Sequence, residues 1–305
     1  MQKKIRVLIT LTIIILLLLV SIGYYFSSEI IAFKVRSLDE NKTNLKVSGF
    51  GDFGLPTPES LRFQNGGISL RGWFFKNPLK KKCGVLLLHG HTGTRYAVLK
   101  YAPLFWKRGC SIFAYDARHH GESGGLYGTY GYNEKIDLDR AMEYFSEVSA
   151  IPETNIGILG ESYGAATALQ FAEGKSEIAF VIADSPYKDM RSIIEKRAVD
   201  LYSPVVLIVS PIALSIAELR ADFIVDKVSP WNSAKKITIP VLLVHSKADE
   251  FTPFSHSEEI FSVLQSEKKQ LALTDWNAPH GKSINTNFGE YEKLILEFLK
   301  EIPNF

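Results

Sequence analysis

Gly160-Glu161-Ser162-Tyr163-Gly164 is a G-x-S-x-G pentapeptide, preceded by the apolar run Ile156 to Leu159 and followed by a small-residue helix former with Ala165, Ala166 and Ala168. Such a pentapeptide arises by chance in long chains, but a strand before it and a helix after it make a nucleophile elbow. The serine then sits at the tip of a sharp turn that leaves no room for side chains at the two glycines. The alanines let the helix lie close on a sheet, and its amino end offers free N–H groups and a positive dipole end to a developing oxyanion. This suits nucleophilic attack, for which the chain must also supply a base, an acid and an oxyanion hole.

The elements needed to position these groups lie on either side. Residues 61–64 and Ile68 to Phe75, joined through Asn65-Gly66-Gly67, predict a β-hairpin. Gly84 to Leu88 and Ser111 to Tyr115 are apolar runs too short for helices and suited to strands buried on both faces of a parallel sheet. Between them Tyr96 to Arg108 has a helical pattern that stops at Gly109, and Glu134 to Val148 repeats apolar residues at helical spacing. Further strands are expected over residues 178–183, 239–245 and 270–274, and helices over 258–265 and 290–301. The alternation predicts an α/β fold with a mostly parallel sheet and helices on both faces. Lys188 to Thr238 interrupts it for about fifty residues, with apolar stretches at Val205 to Val209 and Ile212 to Leu219 that are too short to span a bilayer. A helical cap over the carboxyl edge of the sheet is expected across 188–238.

The amino terminus is different in kind. Lys3, Lys4 and Arg6 precede Val7 to Phe26, a stretch without charge. At about 1.5 Å per residue it spans roughly 30 Å, the hydrocarbon thickness of a bilayer. A transmembrane helix over 1–26 is expected, followed by a stalk or domain edge over 27–59, with a short helix within Glu29 to Arg36, and one catalytic domain over 60–305. Ser21-Ile22-Gly23 also offers small residues to a signal peptidase, but the apolar stretch is longer than the usual signal core. Either reading exports the domain, and the basic amino end favours a single-pass protein of the cell membrane with its catalytic domain outside the cytoplasm. With 46% apolar residues among 305 and a net charge of +2, the chain has enough material for one large core, and nothing in its balance calls for nucleic acid.

Five motifs occur in order: His89-Gly90-His91-Thr92-Gly93, Asp116-Ala117-Arg118-His119-His120-Gly121-Glu122-Ser123, the serine pentapeptide, Ser246 to Pro253 around Asp249, and Pro279-His280-Gly281. Over residues 60–300 this resembles the α/β-hydrolases, in particular the branch with monoacylglycerol lipases, serine aminopeptidases and prolyl-oligopeptidase-type domains. One departure is His119, where that branch has glycine. The resemblance implies Ser162 as nucleophile, His280 as base and Asp249 as the acid that orients it, in the chain order of that fold. Tyr163, directly after the nucleophile, is expected to give one oxyanion N–H and His91 the other, with Thr92 as the alternative. Asp184, which also follows a strand, is the competing acid, and Asp116 is expected to brace its loop with Arg118.

His89, His91, His119 and His120 lie at the ends of neighbouring strands, which raises a metal site, but no carboxylate-rich motif accompanies them and no cofactor is implied. Cys83 and Cys110 begin those same strands and are expected to be free, buried thiols. The expected substrate is a small-molecule ester or thioester, with Tyr202, Trp231 and Trp276 around an apolar acyl pocket. A serine peptidase and a non-catalytic binding protein on the same scaffold are the alternatives.

Overall fold

The computed structural model describes residues 2–305. Its centre is an eight-stranded sheet: β1 (Glu59–Asn65), β2 (Ile68–Phe75), β3 (Gly84–Leu88), β4 (Ser111–Tyr115), β5 (Ile156–Glu161), β6 (Phe180–Asp184), β7 (Val241–Ser246) and β8 (Lys269–Thr274). The spatial order is β1-β2-β4-β3-β5-β6-β7-β8. The β1–β2 hairpin is antiparallel, β2 pairs antiparallel with β4, and every later pairing is parallel, so the sheet is mixed.

The helices are α1 (Gln2–Ile31), α2 (Leu38–Leu45), α3 (Ala102–Trp106), α4 (Glu134–Ser149), α5 (Tyr163–Phe171), α6 (Met190–Leu201), α7 (Ser210–Ala221), α8 (Pro230–Ala234), α9 (Ser255–Val263), α10 (Ser283–Thr286) and α11 (Phe288–Leu299). Strand alternation feeds two apolar layers. Leu86 and Leu88 of β3 join Phe113, Tyr115 and the inner faces of α4, α5, α8 and α9. Val85 and Leu87 join Ile112, Ala114, α3 and α11 on the opposite face. Both faces are covered, which is why the central strands read as continuous apolar runs.

The single helix expected over 96–108 is two pieces, a 3-10 turn at Ala97–Tyr101 and then α3. Pro103 is the reason: it has no N–H to give, and it fits only in the first turn of a new helix. Within 188–238, α6 and α7 build a third apolar cluster with Tyr130, Tyr163 and Tyr187. Ala234 of α8 belongs to the main core, so the cap ends before Pro230.

Two further expectations fail. Cys83 and Cys110 are joined by a disulfide, with Cα atoms 4.7 Å apart. They sit one residue before the Gly84–Ser111 pair of the parallel ladder, and Ser111 N–H donates to the Cys83 carbonyl at 3.0 Å. Interstrand spacing itself lies within disulfide reach, and just outside the ladder the two side chains are free to turn toward each other.

The boundary at residue 26 also has no structural counterpart. α1 runs unbroken to Ile31, and no helix occupies 32–36. No glycine or proline stops it there, and Gly23, Ser27, Ile30 and Ile31 are buried although the preceding apolar residues are not. α1 is long and apolar enough to cross a membrane.

Candidate active site

β5 ends at Glu161, α5 begins at Tyr163, and Ser162 between them takes φ 53° and ψ −109°, a backbone conformation outside the ordinary regions. Its N–H donates to the Asp184 carbonyl at 2.7 Å, and its carbonyl accepts from Ala166 N–H at 2.9 Å. The flanking glycines are sterically required. A Cβ on Gly160 would land on the Gly164 carbonyl, and one on Gly164 on the Leu88 carbonyl of β3. Backbone cannot yield there without moving the sheet.

His280, in the loop after β8, sets Nε2 2.8 Å from Ser162 Oγ and Nδ1 2.6 Å from Asp249 Oδ2. An ionised carboxylate only accepts, so Nδ1 carries the hydrogen and Nε2 is the acceptor facing the serine hydroxyl. Phe251 stacks on the imidazole at 4.8 Å. Asp249 is fully shielded and heavily bonded: Oδ1 accepts from the N–H groups of Phe251 and Thr252, each at 2.9 Å. Burial alone would push its carboxyl up, but hydrogen bonds from His245, His280 and Thr252 N–H hold it well below the usual carboxylate range. His245, next to last in β7, sets Nε2 3.2 Å from Asp249 Oδ2 and 2.9 Å from the Thr252 carbonyl, while Nδ1 is 2.7 Å from Ser257 Oγ. Sequence reasoning missed this residue; a histidine four positions before an acidic loop residue was its only signal.

The N–H groups of His91 and Tyr163 donate to no protein acceptor among the described residues, and both residues line the cavity over Ser162. Thr92 is less suited, since it does not line the cavity. Burial pushes the His91 imidazole down to about 3, so it stays neutral. The Tyr163 hydroxyl donates to Glu134 at 2.8 Å and accepts from Tyr130 N–H at 3.1 Å. Glu134 is buried and also takes Thr129 N–H, the Thr129 hydroxyl and Gly131 N–H, which locks the elbow helix to the loop before α4.

Beneath the elbow, the buried Lys100 ammonium pairs with Glu161 and donates to the Gly281 carbonyl at 2.5 Å. One cation therefore ties the residue before Ser162 to the residue after His280. Asp184 does not reach His280; it accepts from Tyr101 and Tyr291 hydroxyls, each at 2.9 Å, and from Ser185 Oγ at 2.7 Å. Asp116 pairs with Arg95 rather than Arg118, and Arg118 forks onto Asp137 at 2.6 and 2.8 Å. The swap arises because Arg95 enters from the His89 loop while Arg118 turns toward α4.

Three of the four histidines are held by backbone, while His91 Nε2 is buried without a protein partner. His89 accepts from Ala117 N–H at 3.0 Å, and His120 Nδ1 is 2.9 Å from the Arg118 carbonyl. His119 adopts φ 64°, where glycine would sit without strain, and its Nε2–H donates to the Phe33 carbonyl at 3.0 Å. Among the described residues no group of three or more His, Cys, Asp or Glu side chains is arranged to hold a metal ion.

A cavity of about 330 Å³ opens above Ser162, in the size range of small-molecule sites. The cap supplies Ile193, Leu201, Tyr202 and Val206, and α1 with the short segment after it supplies Phe26, Ile30 and Phe33. Trp231 and Trp276 pack in the two sheet layers instead, so of the three aromatics expected there only Tyr202 lines it.

Residues 101–304 match the family model described as the prolyl oligopeptidase family. The chain is 34% identical over 221 residues to the uncharacterized protein YqkD of Bacillus subtilis, covering 70% of each. Among solved structures, the Pyrococcus furiosus esterase Pf2001 superposes with a TM-score of 0.68 at 24% identity, over 84% of this chain and 94% of that one. The Pyrococcus horikoshii acylaminoacyl peptidase does so with 0.63 at 20%, over 80% of this chain and 41% of that one.

Proposed function

We propose that this chain, which belongs to the prolyl oligopeptidase family of α/β-hydrolases, is a membrane-anchored serine hydrolase that cleaves carboxylic esters or thioesters through an acyl-enzyme on Ser162. The observation that carries the reading is the hydrogen-bonded line from Ser162 Oγ through His280 to Asp249 at the floor of an apolar cavity. Ser162 Oγ attacks the carbonyl carbon as its proton passes to His280 Nε2, and Asp249 stabilises the imidazolium. The oxyanion lies against the N–H groups of His91 and Tyr163. Collapse breaks the bond to the leaving oxygen or sulfur, which takes the proton from His280. Water then repeats the sequence on the acyl-enzyme, with its proton going to His280 and on to Ser162, and releases the acid.

The substrate preference rests on the lining, in which only Glu29 and Arg197 bring formal charge and the rest is mostly apolar or aromatic. A peptide bond is the second reading, favoured by those two charges and by the likeness to an acylaminoacyl peptidase. Fluorophosphonate labelling of the full chain tests the hydrolase: wild type labels and Ser162→Ala does not. Asp249→Asn should cut kcat by about 10⁴ through the wrong imidazole tautomer. A labelled residue other than Ser162 would sink the assignment. p-Nitrophenyl esters of increasing chain length, run beside aminoacyl amides, separate the two readings, because faster amide turnover selects the peptidase. Two features support a catalytic domain outside the cytoplasm: the basic residues Lys3, Lys4 and Arg6 before α1, and the Cys83–Cys110 disulfide. Protease added to intact cells should then digest residues beyond α1; their protection would reverse the orientation.

A further inference from the structure

α1 does more than tether. Its last turns are seated on α7: a Cβ on Gly23 would come within 2.6 Å of Ile212 Cγ2, and Arg220 donates to Ser27 and Ser28 hydroxyls at 2.6 and 2.7 Å while lying over the Tyr24 ring. Such close approach and partly buried polar contact fix the helix relative to the cap. The chain then enters the site itself. Ile31 carbonyl accepts from Gly128 N–H at 2.9 Å, Phe33 carbonyl from His119, and Arg36 N–H donates to the Thr92 carbonyl. The Phe33 ring packs 4.0 Å from His91 and leaves no space for a Cβ on Gly128. Phe26, Ile30 and Phe33 are one wall of the cavity over Ser162.

The outer end of that cavity lies where α1 leaves the domain. Phe26 packs on Tyr202 at 5.1 Å, and both line the cavity with Leu201 and Val206. Around this rim Leu201, Val205 and Ile208 are 65, 69 and 72% exposed, beside the exposed apolar length of α1. A contiguous apolar rim with tyrosines, set at the end of a membrane-spanning helix, matches an interfacial surface.

We propose that the cavity opens into the bilayer and receives the acyl chain of a long-chain ester or thioester held in the membrane, with α1 as a permanent wall of the acyl site. This rests on the serine hydrolase reading of Ser162. It also means that α1 remains in the mature protein.

The test uses the full chain in phosphatidylcholine vesicles. The rate on 4-methylumbelliferyl palmitate is compared with that on water-soluble 4-methylumbelliferyl butyrate, with the palmitate placed in the same vesicles or in separate ones. The palmitate-to-butyrate ratio should be at least about tenfold higher in the same vesicles; equal ratios overturn entry from the bilayer. Ile30→Trp, which fills the cavity from the α1 side, should lower the same-vesicle ratio by about tenfold or more. An unchanged ratio in a variant that still labels with fluorophosphonate overturns α1 as a wall. If Ile30→Trp does not fold, Ala213→Phe on the facing α7 side takes its place, and an unchanged ratio there overturns the α1–cap cavity as the acyl site. Wild type that fails to label refutes the hydrolase reading itself, whereas labelled wild type with no same-vesicle preference refutes only this inference.

Discussion

Replacing Lys100 by methionine keeps the aliphatic stem and removes the charge that joins Glu161 to Gly281. Glu161 has a side chain only 19% exposed, and without Lys100 its carboxylate keeps the Tyr101 hydroxyl at 2.9 Å as its remaining side-chain partner. Burial alone raises its carboxyl, and Lys100 leads the contacts, with His280 and the Tyr101 hydroxyl, that bring it below the ordinary value. Removing one partner of a buried pair costs about 3–5 kcal/mol, and the partial exposure of Glu161 places this case near 3. At about 2–4 °C per kcal/mol for a domain of comparable size, the Tm of the full chain in detergent should fall by roughly 6–12 °C. The same loss frees the His280 loop from the elbow. A displacement of about 1 Å between base and nucleophile can cost about 10²-fold, so kcat on a soluble short ester should fall with KM little changed. Lys100→Met/Glu161→Gln should recover part of the Tm, giving a coupling of about 1–3 kcal/mol, because it removes the stranded carboxylate. A Lys100→Met protein within about 2 °C and twofold of wild type would show that the pair neither supports the fold nor positions the base.

Acid should destabilise the fold through its buried histidines. His89, His91, His120 and His256 are held neutral by burial, with His91 at about 3 and His256 at about 4 against an ordinary 6.5. The unfolded chain binds more protons below 6.5, so stability falls as pH drops from there, by about 2 kcal/mol at pH 5 for each of His91 and His256. Thermal unfolding at pH 7 and pH 5 measures this, and an unchanged Tm would contradict the burial of these rings. Gly164→Ala should abolish both labelling and native stability, since its Cβ meets the β3 backbone; a stable, active variant would mean the elbow is looser than its geometry. Reducing Cys83–Cys110, which closes a separation of 27 residues, should cost about 3–4 kcal/mol by chain entropy. Dithiothreitol that leaves the Tm unchanged would count against the bond.

What was legible in the sequence was local. The elbow, the Asn65-Gly66-Gly67 hairpin and the short apolar runs of β3, β4 and β5 each depend on a few consecutive residues whose sterics and period have one good solution. The motif order pointed to Ser162, Asp249 and His280 because the fold carries them after β5, β7 and β8 in that order, and these three side chains are hydrogen-bonded in line. A local signal passed over was Ser37-x-x-Glu40, which forms the capping box of α2.

What only the tertiary structure decided were partners distant in sequence. Arg95 rather than Arg118 meets Asp116, Lys100 meets Gly281 across 181 positions, and Phe33 reaches His119 across 86. Periodicity says which face of an element is apolar but not which element will cover it, so Trp231 and Trp276 read as pocket aromatics although they fill the sheet layers. For the same reason residues 27–33 read as a stalk. They are apolar enough to bury, and only the packing of α1 on α7 determines that what they bury against is the site over Ser162.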